Sequence, residues 1–405
     1  MGSFDSLRHR DFRLFWTGAL LSNVGTWMQT TALAWYVFLL THSAFWVSFV
    51  TFANLFPMVL APIGGVVTDR FDRRAILAWT QSTMLVLASA LALLVLVHRA
   101  TLPAVMALTI GQGIAFALNG PTWLAFVPSL VPPDSMVNAI ALNSMQFNAA
   151  RVVGPAIGGA LIAASGPGLV FGINAVSFVA VLVALVSIRT PAVRLPAPGV
   201  GLLSSLAGGF SYIRRHRVIR TLLLTTAAIS FFAAPVQSLL PIYAADVFRR
   251  GAGGYGLLGA SVGVGSVGGA LALGRLGSRV TVRVIAAALA LVGAELVLFA
   301  LLRSYAAGLA LMVVYGGTYL FAVASMNSRI QLEVDEEMRG RVMSMFMLAW
   351  VPFPLGSLVA GALASHVGAR ATTVTGAACC AAWGLGLGWR RLRPPAAEPG
   401  IEPVA

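Results

Sequence analysis

The sequence predicts an all-α membrane protein, twelve transmembrane helices in two pseudo-symmetric six-helix bundles. Three observations carry that prediction. Hydrophobic residues make up 58% of the chain and charged residues 10%, against about 25% charged in an average soluble domain. Apolar runs of about 20 residues, long enough to cross a bilayer core, follow one another from end to end. A compact charged turn, Gly64 to Arg74, has a faded copy at Gly268 to Arg279, roughly 205 residues later. A duplicated turn of this kind marks a transporter built from two related halves.

The runs lie near 13–40, 44–67, 75–97, 102–128, 137–164 and 168–188, then 218–245, 255–275, 281–302, 306–328, 342–364 and 370–390. Lipid offers no hydrogen bonds to a bare backbone, so such runs are helices. A transmembrane barrel would instead show short alternating segments, and none occur. The first run is too long for a signal peptide and lacks a small-residue cleavage site, so no cleavable leader is expected. Met1-Gly2 to Ser6 fits a myristoylation pattern, which a twelve-span protein has no need of.

The proposed division is 1–188 for the first bundle, 189–217 for a linker, 218–390 for the second bundle and 391–405 for a tail. The linker opens with Pro191, Pro196 and Pro198, which disfavour regular structure. Leu202 to Tyr212 then leads into Arg214-Arg215-His216-Arg217. That pattern reads as a surface helix beneath an anionic leaflet, serving topology or lipid sensing. Beyond the opening turn, Gly158-Gly159-Ala160-Leu161 is echoed by Ala360-Gly361-Ala362-Leu363, again about 200 residues on.

Net charge is +14, all 27 basic residues are Arg, and there is no Lys. Their distribution explains the excess. The clusters at 8–13, 70–74, 189–220, 275–283, 339–341 and 390–393 fall on one side of the spans. Only Arg99, Arg249, Arg250, Arg303 and Arg370 fall on the other. The positive-inside rule then places both termini in the cytoplasm and makes nucleic-acid binding unnecessary.

Arg151 stands about halfway along the fifth span, where a charge is costly and faces a bundle interior or a wet cavity. Asn143, Gln146 and Asn148 precede it at spacings that roughly share its helical face, either lining a pathway or holding the guanidinium. Downstream, Pro155 removes a backbone donor while Gly154, Gly158 and Gly159 permit close packing.

These segments resemble the major facilitator superfamily, and more narrowly the bacterial twelve-span exporters that include macrolide-efflux and enterobactin-exporter proteins. The resemblance runs from Leu7-Arg8-His9-Arg10-Asp11-Phe12 to Arg339-Gly340-Arg341-Val342. Gly65, Asp69, Arg70, Arg73 and Arg74 match the superfamily's loop motif between spans two and three, with Asp72 where the pattern has a second glycine. Gly65 is then the residue that admits a neighbouring helix. The resemblance implies that Asp69 contacts the eleventh span and holds the cytoplasmic side shut. The second copy has Gly274 in that place and no acid.

Arg151 to Gly159 resembles the motif that separates antiporter-type exporters from symporters, with Ala150 in place of its first glycine. By the same resemblance, spans one, four, seven and ten line a central cavity. Their candidates are Asn23, Trp27, Gln29, Thr30, Trp35, Gln112, Asn119, Gln237, Tyr315, Tyr319 and Asn327, with Phe231 and Met326; Gln146 joins them from span five. Aromatic and Met side chains suit a bulky, largely apolar solute. Proton exchange requires a titratable group exposed to both sides in turn, for which Asp69, Asp246 and Glu295 are the candidates.

Enzyme signals fall away. Gly263 to Gly268 spells GxGxxG within an apolar span, where it reads as helix packing. Without Lys there is no lysine-bearing phosphate loop, and five scattered His with adjacent Cys379 and Cys380 give no metal spacing. No cofactor is expected. The reading is a monomeric exporter in the bacterial inner membrane, moving small hydrophobic molecules of drug, macrolide or siderophore type in exchange for protons. Uptake or facilitated diffusion, and a non-transporting sensor, stand as alternatives.

Overall fold

The computed structural model describes residues 4–189, 210–277 and 280–392, and among them every regular element is helical. The first bundle comprises α1 (Arg10–Thr41), α2 (Ala44–Arg70), α3 (Arg73–Leu96), α4 (Leu102–Leu130), α5 (Pro133–Ser165) and α6 (Pro167–Ser187). The second comprises α7 (Arg217–Val247), α8 (Ala252–Leu276), α9 (Val282–Leu301) and α10 (Tyr305–Glu333). A last continuous stretch, Glu336–Gly388, divides at Gly368, whose φ of +84° ends one helix and starts the next. Its parts are α11 (residues 339–367, interrupted by a turn at 349–351 before Pro352) and α12 (residues 369–392).

Ten stretches among the described residues are long and apolar enough to cross a membrane. Helix α1, with Thr17, Asn23, Thr26, Gln29 and Thr30 along it, is not among the ten, and α11 with α12 counts once. Residues 190–209 of the linker, 278–279 of the second charged turn and the tail from 393 onward lie outside the described residues. Of the expected linker helix, 210–215 is helical, and the Tyr212 hydroxyl donates to Asp335 Oδ2 at 2.8 Å.

Several helices are interrupted where prolines withdraw a backbone donor. Helix α2 tightens to a 3₁₀ turn over Phe56–Leu60, which contains Pro57. Helix α7 loosens at 233–235 and ends in a π turn, Tyr243–Val247, after Pro241. In α5 the helix runs unbroken through Pro155.

The two halves meet along two seams. In the first, α5 and α8 run side by side with backbones in contact: a Cβ on Gly159 would lie 2.6 Å from Gly256 Cα, and one on Gly263 2.8 Å from Val152 Cα. Pro155 Cβ packs on Gly259 between them. In the second seam, α2 meets α11, where the Phe45 amide donates to Ser365 Oγ at 3.1 Å. Ser48 also reaches Ser238 of α7, Oγ to Oγ 3.4 Å. All of these residues sit in the half of the helices remote from the chain termini. Among the described residues, no hydrogen bond joins the two bundles at the terminus-bearing end.

Duplication is visible in the packing. Gly64 of α2 would place a Cβ 3.1 Å from Leu118 Cα of α4, and Gly269 of α8 abuts Gly317 of α10 in the same manner. Each half thus uses a glycine near the terminus-bearing end to seat its second helix on its fourth.

Candidate functional site: a cavity between the two bundles

A cavity of about 240 Å³ lies between the bundles. Its wall draws on Asn23, Trp27, Gln29 and Thr30 of α1, Gln112 of α4, Arg151 and Pro155 of α5, and Gln237 of α7. It is closed toward the far end by the seams just described and by Trp35 stacked on Tyr255, ring centroids 6.2 Å apart. Opposite that plug no hydrogen bond or ion pair bridges the halves among the described residues, so the cavity faces the terminus-bearing side.

The first-half wall is organised by a chain of amides. Asn174 Nδ2 donates to Gln29 Oε1 at 2.6 Å, and Gln29 Nε2 donates in turn to Gln112 Oε1. Buried polar groups persist only when satisfied; here three helices, α1, α4 and α6, are held in register by the exchange. Gln112 Nε2 is left over, buried and without a partner. The threonines turn inward on their own helix, Thr30 donating to Thr26 O and Thr31 to Trp27 O.

Arg151 enters this wall from α5 and lies over the Trp27 ring, guanidinium carbon to centroid 5.8 Å. Its helix is pressed against α1 by the glycines that follow. A Cβ on Gly158 would lie 3.1 Å from Met28 Cα, and one on Gly154 3.1 Å from Val24 O. Residues 154 and 158 therefore face α1, while 155 and 159, one position round, face α8. The motif is a two-sided spacer that lets α5 touch its own bundle and the opposite one at once. Pro155 has no N–H for the carbonyl four residues back, which is that of Arg151.

Several expected lining residues are elsewhere. Asn119 Nδ2 donates to Thr80 Oγ1 at 2.9 Å and ties α4 to α3. Gln146 donates to Asn143 Oδ1 (3.2 Å), which also accepts the Trp123 indole N–H (3.0 Å). That latch points into the first bundle, so Asn143 and Gln146 do not share the cavity face of Arg151; Phe147, one turn before it, does. Tyr315 is fully buried with its hydroxyl 3.4 Å from Ala233 O, and Tyr319 packs on it at 5.6 Å. Both stand behind the wall, not in it. Asn327 accepts from Gln331 on its own helix. Lining residues that the sequence did not single out include Asn54, Phe116, Asn174, Phe178, Tyr255 and Phe353.

The charged turn also needs correction. A Cβ on Gly65 would meet nothing within 4 Å, and the close approach belongs to Gly64. Asp72 takes the place of a second glycine without strain because its backbone is extended, φ −61° and ψ 120°. Its side chain caps α3 by accepting from Ala75 N at 2.8 Å. Arg73 donates to Ala125 O at 3.0 Å and Arg74 to Val186 O at 2.9 Å, cations placed on the carbonyl ends of α4 and α6. Asp69 and Arg70 are exposed and make no hydrogen bond or ion pair among the described residues. The implied contact of Asp69 with the eleventh span is not made in this conformation, as the open terminus-bearing end requires.

None of the three titratable candidates lines the cavity. Glu295 of α9 is 4% exposed and accepts from Thr318 Oγ1 of α10 at 2.8 Å, within the second bundle. Asp246 is exposed in the π turn at the far end of α7, and Asp69 is exposed at the opposite end.

Two six-helix halves, seamed at one end around a central cavity, define a membrane transporter of the major facilitator type. The sequence profile of the transmembrane secretion effector family matches residues 1–398, and the chain belongs to that family. It is 28% identical over 385 residues to an enterobactin exporter, EntS, of Escherichia coli O1:K1, covering 94% of this chain and 89% of that one. Among solved structures it shares its fold with a bacterial homolog of the human lysosomal transporter Spinster. There the TM-score is 0.75 at 13% identity, over 96% of this chain and 99% of that one. A peptide transporter of the POT family gives 0.77 at 13% identity, over 95% and 98%.

Proposed function

We propose that the chain is a secondary exporter of small, largely apolar molecules, working by alternating access with twelve spans and both termini in the bacterial cytoplasm. In that count α1 is a span despite its polar residues, and the break at Gly368 separates the last two. Residues 1–188 and 218–390 are the two moving bodies, joined by the linker at 189–217. One observation carries the reading: among the described residues, hydrogen bonds and glycine-mediated backbone contacts join the halves at one end of the cavity and no hydrogen bond joins them at the other. Export then consists of parting the α5–α8 and α2–α11 seams while the end near Gly64 and Asp69 closes. The enterobactin exporters among the relatives support the outward direction. A single copy suffices, because both walls of the cavity come from one chain.

Proton exchange is the coupling proposed, with Glu295, the buried carboxylate of the described residues, as its first candidate. A second reading, movement without proton coupling, draws on the lack of any carboxylate among the described lining residues. Transport of lipophilic dyes of either charge, macrolides and a lipophilic carboxylate into inverted vesicles under an imposed pH gradient separates the two. Accumulation that disappears with the gradient supports exchange; accumulation that survives its collapse overturns it. A panel that is never accumulated overturns export of this solute class.

A further inference from the structure

Among the described residues the cavity holds one fixed charge, and no ion pair balances it. Arg151 is the charged residue among the described lining residues, and it makes no hydrogen bond or ion pair with any described residue. Its neighbour is the face of Trp27, 5.8 Å away, which offsets part of the cost of the charge but satisfies none of the five guanidinium N–H donors. A cation held inside a membrane protein without a carboxylate or carbonyl partner is an unfinished interaction, since such residues ordinarily pair.

A second observation points the same way. Gln112 is 8% exposed, and its Oε1 is occupied by Gln29 while its Nε2 hydrogens have no acceptor. The spare capacity of this buried amide is therefore a donor. Thr30, Thr31, Thr51 and Ser238 each give their one hydroxyl proton to a carbonyl of their own helix or the turn before it, and so offer a solute acceptor lone pairs but no donor. The cavity thus presents one cation with a spare buried amide donor, beside the amides of Asn23, Asn54 and Gln237, on walls that are otherwise mainly apolar and aromatic.

We infer that the cavity recognises an amphipathic monoanion, an aromatic or aliphatic body bearing one carboxylate- or phenolate-type oxyanion. Arg151 pairs with the anionic group and Gln112 Nε2 supplies a further hydrogen bond. The inference rests on the proposed transport role only in placing the solute in this cavity. A cationic solute would meet the Arg151 charge with no acid to offset it, so the site selects against cations. A multivalent anion would find a single countercharge.

Binding to the purified full-length chain, followed by calorimetry in a non-ionic detergent, tests this without requiring transport. The probes are 2-naphthoate, the neutral 2-naphthamide and the cationic 2-naphthylmethylammonium, which share one ring system. The charged hydrogen bond predicts that wild type prefers the naphthoate by about tenfold or more. Arg151→Gln should abolish that preference and Arg151→Lys should keep part of it. Gln112→Glu, which still accepts from Gln29 but adds a negative charge and removes the free donor, should abolish it in a protein that retains its packing. Equal affinity for the three probes, a preference unchanged in Arg151→Gln and Gln112→Glu, or binding of none of them overturns the inference. Failure of the vesicle assay alongside a charge-dependent binding preference would overturn export and leave this site standing.

Discussion

The Arg151 guanidinium lies over the ring of Trp27, 5.8 Å from its centroid, on the wall of a cavity shared by both halves of the protein. The pair joins the fifth helix to the first at the point where a Cβ on Gly154 would collide with Trp27 Cβ. Positive charge, aromatic surface and close helix packing are thus supplied by one short segment and its neighbour.

Replacing Trp27 with Ala should leave the Arg151 charge uncovered and widen the cavity. Both side chains are half-buried, and a cation–π contact of that kind is worth about 1 kcal/mol, so a solute held by the ring and the guanidinium should bind about fivefold more weakly. Trp27→Phe should recover part of it. Equilibrium binding on the purified protein reads the difference, and equal affinities across the three proteins would remove Trp27 from the site.

The α5–α8 seam should tolerate no side chain. Gly159→Val places carbon atoms where Gly256 Cα and Ala252 O now stand, so the seam must part. Alkylation of a cysteine at position 35, in a Cys379→Ala/Cys380→Ala background, should then accelerate, because Trp35 is buried against Tyr255 only while the seam is shut. An unchanged rate would mean that the glycines do not control the far end.

Asp69 has no hydrogen-bond or ion-pair partner among the described residues in this conformation, so Asp69→Asn should change thermal stability by no more than about 0.5 kcal/mol, as for an ordinary exposed site. Transport should nevertheless fall, since the proposed closure of the terminus-bearing end brings this residue to the eleventh span. Unaltered transport in Asp69→Asn would remove the gate from the mechanism.

Glu295→Gln keeps an acceptor for the Thr318 hydroxyl, which also bonds Val314 O, and so should preserve the fold. Because Glu295 lies outside the cavity, solute binding should be unchanged while the pH-gradient dependence of vesicle transport is lost. Weakened binding with coupling intact would place Glu295 in the solute site instead.

Much of the fold was legible because its signals are local in sequence: apolar runs, the arginine clusters, a charged turn and a Gly-Pro segment. The cavity was legible only in part. Polar side chains on these helices are satisfied by partners far away along the chain, as Asn119 is by Thr80 and Tyr315 by Ala233. Spacing along one helix cannot show which polar face already has a partner. Gln146 is the clearest case, five residues from Arg151 and turned to Asn143. Gly64 and Gly65 differ by one position, which on a helix means a different face. Asn174 did carry a signal, as an isolated amide in the strongly apolar sixth span, and it anchors the network behind Gln29.

The most direct test of alternating access is to tie the halves together where they now touch. Ser48 and Ser238 lie on opposite halves, with hydroxyl oxygens 3.4 Å apart. In the background lacking Cys379 and Cys380, a Ser48→Cys/Ser238→Cys pair oxidised to a disulfide should arrest solute transport in vesicles, and reduction should restore it. Transport that continues at the same rate with the bridge formed would contradict the account.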